Sequence, residues 1–226
     1  MKLKDIHILL IRLFPVTIRS YFWKENYLTA HPSVDWWEGH INFLVLNQYA
    51  RYLSGRVVDF GCNHGACTIL AARNPEISEI IGIDINPKSI ALANDLLKLS
   101  DEKQENKMKI KFFSSDCTRL PFESDFFDNG YMFHVIEHMS PEIRIKALSE
   151  IKRVLRKEGY FLLTLPFMHA YDDFHHIEYF DEKKIRTVIE SAGFEVIECY
   201  RDQRTDRHAP KGHDCLTVLC RNHKAF

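Results

Sequence analysis

Three aspartates each close a short apolar run. Asp59 ends R-V-V-D, Asp84 ends I-I-G-I-D and Asp116 ends F-F-S-S-D. Between the first two lies V-V-D-F-G-C-N-H-G (57–65), followed by A-C-T-I-L-A-A-R. A β-branched run, a turn of small residues and a helix-forming run, in that order, bring backbone N–H groups against a ligand. Gly61 and Gly65 supply φ freedom and lack the Cβ that would block approach. Asn63 stands where many such loops carry glycine, and asparagine tolerates left-handed backbone. Asp84 lies about 20 residues beyond the turn, where an acid can accept hydrogen bonds from both hydroxyls of a ribose. A fourth run, Y-M-F-H-V-I-E-H (131–138), brings His134, a candidate general base for an acceptor hydroxyl or amine.

The elements that must position these groups follow from the pattern. A strand over 56–60 precedes a helix over about 65–73, stopped by Asn74-Pro75. A strand over 79–85 is continuously apolar, as strands buried on both faces are. Asn86 caps a helix with Pro87 at its first position, running to about Ser100. Residues 100–109 are charged and read as a loop. Strands follow at 109–116 and 128–135. Ser140-Pro141 starts a helix reaching Leu155. Lys157-Glu158-Gly159 turns into Y-F-L-L-T-L-P, and Asp181 caps a last helix ending at Ala192-Gly193. Two final strands, F-E-V-I-E-C-Y and L-T-V-L-C, have no helix between them and are expected to pair antiparallel. The fold class is therefore α/β: a Rossmann-like, doubly wound, seven-stranded, mostly parallel sheet with an antiparallel last strand. In such sheets ligands bind at the carboxyl ends of the strands, beside the switch in strand order. Residues 1–54 show no strand pattern and read as a helical N-terminal cap, divided by Pro15 and Pro32. Residues 55–226 form the main domain.

With 226 residues, 46% hydrophobic and 27% charged, the chain can fill one core. A net charge of -1 provides no broad cationic field for nucleic acid. The six cysteines form no C-x-x-C pair and read as reduced packing residues of a cytoplasmic protein. No apolar run is long enough to span a bilayer, and the opening M-K-L-K-D-I-H-I-L-L is broken by charge where a signal peptide would not be.

The chain resembles the class I S-adenosylmethionine-dependent methyltransferases. The matching segments are V-V-D-F-G-C-N-H-G, I-I-G-I-D-I-N-P-K-S-I, S-S-D-C-T-R-L-P-F-E-S-D-F-F-D, K-E-G-Y-F-L-L-T-L-P and H-H-I-E-Y-F-D-E-K-K-I-R-T-V-I-E-S-A-G-F-E-V, over about residues 54–200. The resemblance implies S-adenosylmethionine as cofactor and methyl transfer as the reaction. It implies that Asp59, Gly61, Cys62 and Gly65 form the loop at the methionine end. Asp84 would bind the ribose, Ile85 would pack on the adenine, Asp116 and Cys117 would meet the adenine amino group, and Phe133 would lie beside the reacting methyl. The dinucleotide alternative fits less well, because its pyrophosphate wants G-x-G-x-x-G.

The expected acceptor is a hydroxyl or amine of a small molecule or glycan, with His134, His175 or His176 as the base. His134-x-x-Glu137-His138 also matches the H-x-x-E-H of some zinc peptidases. That reading is set aside because His134 closes a strand rather than lying on a helix, so no metal is expected, nor is one expected at His208, His213 and Asp214. Trp36, Trp37, Tyr27, His31 and His40 are candidates for a lid or for core of the cap. Residues 3–14 could form a peripheral membrane or dimer contact. Two other functions fit the residues less well: a non-catalytic cofactor-binding scaffold for a partner protein, and an RNA or protein methyltransferase using Arg201, Arg204, Arg207 and Lys211.

Overall fold

The computed structural model describes residues 40–168, 176–204 and 214–223. Seven strands form one sheet: β1 (Gly55–Phe60), β2 (Ile77–Asp84), β3 (Ile110–Ser114), β4 (Asn129–Phe133), β5 (Tyr160–Pro166), β6 (Glu195–Asp202) and β7 (Cys215–Arg221). Their order across the sheet is β3-β2-β1-β4-β5-β7-β6. The first five run parallel, and β7 pairs antiparallel with both β5 and β6. The chain enters at the centre with β1 and winds outward to β3, then crosses back to β4. The switch in direction thus falls between β1 and β4, and it opens the crevice at their carboxyl ends.

Among the described residues six α-helices flank the sheet: α1 (Ile41–Gln48), α2 (Ala66–Ala71), α3 (Pro87–Leu99), α4 (Gln104–Lys107), α5 (Pro141–Val154) and α6 (Glu182–Ser191). Their starts follow the capping chemistry. Asn86 Oδ1 accepts from Lys88 N at 3.0 Å, with Pro87 in the first turn. Ser140 Oγ accepts from Ile143 N, and Asp181 Oδ1 accepts from Lys184 N at 2.7 Å. Each satisfies a backbone donor the helix cannot satisfy itself. The single turn α4 falls where the sequence reads as a loop. Gln-Glu-Asn-Lys are adequate helix formers, but they carry no apolar stripe to signal it. No helix among the described residues is long and apolar enough to cross a membrane.

Both faces of the sheet are covered. Phe60, Met132, Phe161 and Leu163 meet α5 and α6 residues such as Leu148, Ile151 and Ile185 on one side. On the other, Val57, Ile80, Tyr131 and Leu162 meet Ile41, Val45, Ile69 and Leu70. The α1 end of the N-terminal segment is thus part of the main core rather than a separate body. His40 is its cap: Nδ1 accepts from Asn42 N at 3.2 Å. Trp36, Trp37, Tyr27, His31 and residues 3–14 lie outside the described residues.

Candidate active site

The glycine loop leaves β1 and crosses the end of β2. Gly61 N and Cys62 N both donate to Ile83 O, at 2.7 and 2.9 Å. Its backbone is left-handed at three alternate positions: Gly61 (φ 78), Asn63 (φ 52) and Gly65 (φ 81). Asn63 therefore occupies a conformation most side chains avoid, as its tolerance of left-handed backbone predicts. The small residues are also required by space. A Cβ on Gly61 would sit 2.3 Å from Val135 Cγ2, and one on Gly65 would sit 2.6 Å from Phe112 Cζ. Gly61→Ala is accordingly expected to cost roughly 2–4 kcal/mol, from left-handed strain plus overpacking. Urea unfolding checks this; a midpoint equal to that of the parent would show that the loop has slack at this point.

Asp84 holds the loop down. Oδ2 accepts from Asn63 N at 3.0 Å, and Oδ1 accepts from Asn86 N at 2.9 Å. One carboxylate thus ties the glycine loop to the start of α3. Ile85, the next residue, leaves the sheet with 66% of its surface exposed, an apolar face with no protein cover. Asp116, past the end of β3, accepts from Thr118 N at 2.8 Å. The strand ends at Ser114 rather than Asp116 because Asp116 turns the chain.

Asp59 is turned inward. It is 3% exposed, and its Oδ2 accepts from Thr68 Oγ1 at 2.6 Å and from the Tyr131 hydroxyl at 3.1 Å. Burial raises its pKa to about 7, against the two hydroxyls that favour the carboxylate; the charge of Asp84 adds to the rise. Thr68 and Tyr131 hold Asp59 in place, and the sequence did not single them out. The signal for Thr68 was faint: one hydroxyl in an otherwise apolar helix facing the end of β1.

The three aspartates, far apart in sequence, meet in the fold. The Cys117 thiol is pushed up to about 12, first by burial and then by the charges of Asp116, Asp84 and Asp59. Cys62 is buried and Cys67 partly so, and burial followed by Asp59 raises the Cys67 thiol as well. None of the six cysteines forms a disulfide. Thiols as far from ionisation as those of Cys67 and Cys117 are packing groups rather than nucleophiles.

Phe133 is buried at the end of β4, its ring 4.9 Å from that of Tyr131. His134 follows at φ 55, its N–H donating to Thr164 O at 2.8 Å. That bond is the last one to β5; the left-handed backbone at His134 then turns the chain into the short 3₁₀ turn Ile136–His138. Burial opposes a charge on the His134 ring, but the Cys215 sulfur and the Glu137 carboxylate outweigh it and raise the ring's pKa. His134 Nδ1 lies 3.5 Å from Glu137 Oε1, and His138 Nε2 lies 3.9 Å from the same oxygen. His176 comes from the far side of β5, its ring 5.1 Å from that of His138. The fold therefore joins His134 and His176, two of the three candidate bases, around Glu137; His175 lies outside the described residues.

Residues 58–163 match the protein family described as Methyltransferase domain. The chain is 28% identical over 127 residues to a ubiquinone/menaquinone biosynthesis C-methyltransferase of Citrifermentans bemidjiense, covering 54% of this chain and 52% of that protein. It is 30% identical over 109 residues to a fatty-acid O-methyltransferase of Mycolicibacterium smegmatis, covering 48% and 36%. The chain thus spans about half or less of the length of these relatives. A SAM-dependent methyltransferase from Methanosarcina mazei shares the fold, with a TM-score of 0.66 at 19% identity over 79% of this chain and 98% of that one. Strand order, glycine loop and the match over residues 58–163 agree: this part of the chain is similar to the class I S-adenosylmethionine-dependent methyltransferases and shares their fold.

Proposed function

We propose that the chain transfers the methyl group of S-adenosylmethionine to a hydroxyl or amine of a small molecule or glycan. The observation that carries this reading is the convergence of Asp59, Asp84 and Asp116 beneath a left-handed glycine loop at the strand-order switch. The residues suit the cofactor in two respects. Ile85 offers an uncovered apolar face for the adenine. Asn63 Oδ1 is buried with no hydrogen-bond partner among the described residues, as an acceptor waiting for a ligand donor would be.

The cofactor supplies a methyl on an already activated sulfonium, so the protein's work is alignment and exclusion of water. In this reading the loop from Gly61 to Gly65 and Asp59 hold the methionine end, and Asp84 accepts from the ribose hydroxyls. Ile85, Asp116 and Cys117 surround the adenine, and Phe133 walls the transfer end. The acceptor's proton goes to a histidine at the β4 edge, with His134 nearest Phe133 in the chain. His134 is biased towards its protonated form by Glu137 and Cys215, so it serves as a base only once that proton has left. The fatty-acid O-methyltransferase among the relatives favours an oxygen acceptor on a small molecule. The near-neutral net charge keeps nucleic acid a weaker reading.

Calorimetry with S-adenosylmethionine and S-adenosylhomocysteine tests the foundation; no heat at millimolar ligand sinks it. A mass-shift screen of cell extract with methyl-labelled cofactor then identifies the acceptor. With that acceptor, His134→Gln is expected to lower turnover by roughly a hundredfold while leaving cofactor affinity within a few fold, the usual share of a general base. Undiminished turnover would remove His134 from the reaction and turn attention to His176.

A further inference from the structure

Beside the cofactor crevice lies a second arrangement that cofactor binding does not use. Glu137, His138 and His176 each offer one donor atom, and the three atoms lie within 4.8 Å of one another. Glu137 is 2% exposed, and among the described residues its carboxylate oxygens meet imidazoles only at long range, with no closer hydrogen-bond partner. A buried carboxylate held this loosely has coordination to spare for a cation. The neighbouring histidines stand off, His134 Nδ1 at 3.5 Å and His138 Nε2 at 3.9 Å. We propose that Glu137, His138 and His176 bind one divalent transition-metal cation.

The donor chemistry supports this assignment. Two imidazoles and one carboxylate suit zinc and its borderline neighbours better than magnesium or calcium, which prefer all-oxygen sets. An ion about 2.1 Å from each donor holds the donors roughly 3–4 Å apart, so a contraction of about an ångström completes the site. Side-chain rotation can supply that. Three protein donors leave at least one position open for water or an acceptor oxygen, the arrangement of catalytic rather than structural sites.

The supporting shell is already built. Ile177 N and Glu178 N donate to Glu137 O at 2.9 and 3.3 Å, so the segment carrying His176 is stitched to the turn carrying Glu137 and His138. Glu178 is ion-paired to Arg144 of α5, a residue only 5% exposed, and to Lys184 of α6 at 2.7 Å. His134 lies behind Glu137 and is placed to orient its carboxylate, as outer partners of metal ligands commonly are. This differs from the zinc-peptidase pattern set aside on the sequence. The first histidine of H-x-x-E-H is here an outer partner, and the second imidazole ligand comes from His176, across β5.

The site is tested on the full chain, stripped with chelator and titrated with Zn²⁺ and Mn²⁺ by calorimetry, and with Co²⁺ by visible absorption. The expected result is one equivalent bound at micromolar Kd or tighter, with a Co²⁺ d–d band. His176→Ala and Glu137→Gln should each weaken that binding at least tenfold. S-adenosylhomocysteine titrated into the same preparations reports folding and the cofactor crevice independently, so a chain that binds neither ligand is separated from one that lacks only the metal. No binding of any of the three ions by a preparation that binds S-adenosylhomocysteine overturns the proposal, and so does metal binding undiminished in both variants.

Discussion

Asp84→Ala is expected to weaken binding of S-adenosylhomocysteine by roughly a hundredfold, about 2.7 kcal/mol, and to lower folding stability as well. The affinity loss has two sources. In the proposed site the ribose loses its carboxylate acceptor, and the glycine loop loses its anchor, because Asp84 accepts from Asn63 N and Asn86 N at 3.0 and 2.9 Å. Hydrogen bonds to a charged group contribute about 1.5–3 kcal/mol each, and loss of these two leaves backbone donors to find water. A stability loss of about 2 kcal/mol follows on that scale. Asp84→Asn should fall between, since its amide keeps one acceptor oxygen but turns a donor towards the other N–H. Calorimetry and urea unfolding on both variants provide the check. Parental affinity in Asp84→Ala would show that the ribose acid lies elsewhere.

The second large effect concerns Asp59, and its sign is opposite for stability and for binding. The carboxyl has an ordinary value of 3.8 and is raised to about 7 in the fold, chiefly by burial. The folded state therefore keeps a proton that the unfolded state gives up. Stability from this group is complete below the unfolded value and is lost as pH climbs through the folded one. Asp59→Asn removes the titration while leaving an oxygen to accept from Thr68 and Tyr131. The variant should thus gain on the parent as pH rises from about 5 to 8, by about 2–3 kcal/mol, because each tenfold difference in proton affinity between the two states is worth roughly 1.4 kcal/mol. In the proposed site Asp59 is the anionic partner of the cofactor's amino group, so above about pH 7 the variant's affinity for S-adenosylmethionine should lie about tenfold below the parent's. A charge kept in the core at a cost to folding is a common mark of a binding site. Urea midpoints of the two proteins that run parallel across this pH range would contradict the burial argument.

Much of this site was legible in the chain. Strand ends were marked by Asp59 and Asp84 because each acid closes an apolar run just before a turn, although the fold then buries both carboxylates. Helix starts at Asn86, Ser140 and Asp181 were legible because capping is a local exchange between one side chain and the next few N–H groups. Asn63 in left-handed backbone was likewise a local matter of which residues tolerate positive φ. The turn α4 escaped notice because a single turn without an apolar face leaves no periodicity.

Other features depend on contacts that no window of sequence contains. The antiparallel pairing of β6 and β7 followed from the absence of a helical pattern in the sequence between them. The insertion of β7 between β5 and β6 did not, because strand order is chosen by which edges and faces can be buried together. That insertion sets Cys215 beside His134 and changes the proton affinity of a ring that the sequence offered simply as a base. Thr68 and Tyr131 came to hold Asp59 only when α2 and β4 closed on it. Glu137, His138 and His176 are two adjacent residues and one distant residue in the chain, and their meeting depends on the turn after β4 folding against the segment after β5. Local backbone preference and hydrophobic period were enough to specify the fold class, the glycine loop and the carboxylates at the strand ends. How buried each acid is, which hydroxyls hold it and which histidines share a carboxylate were set by the packed fold, because burial and through-space charge exist only once distant segments meet.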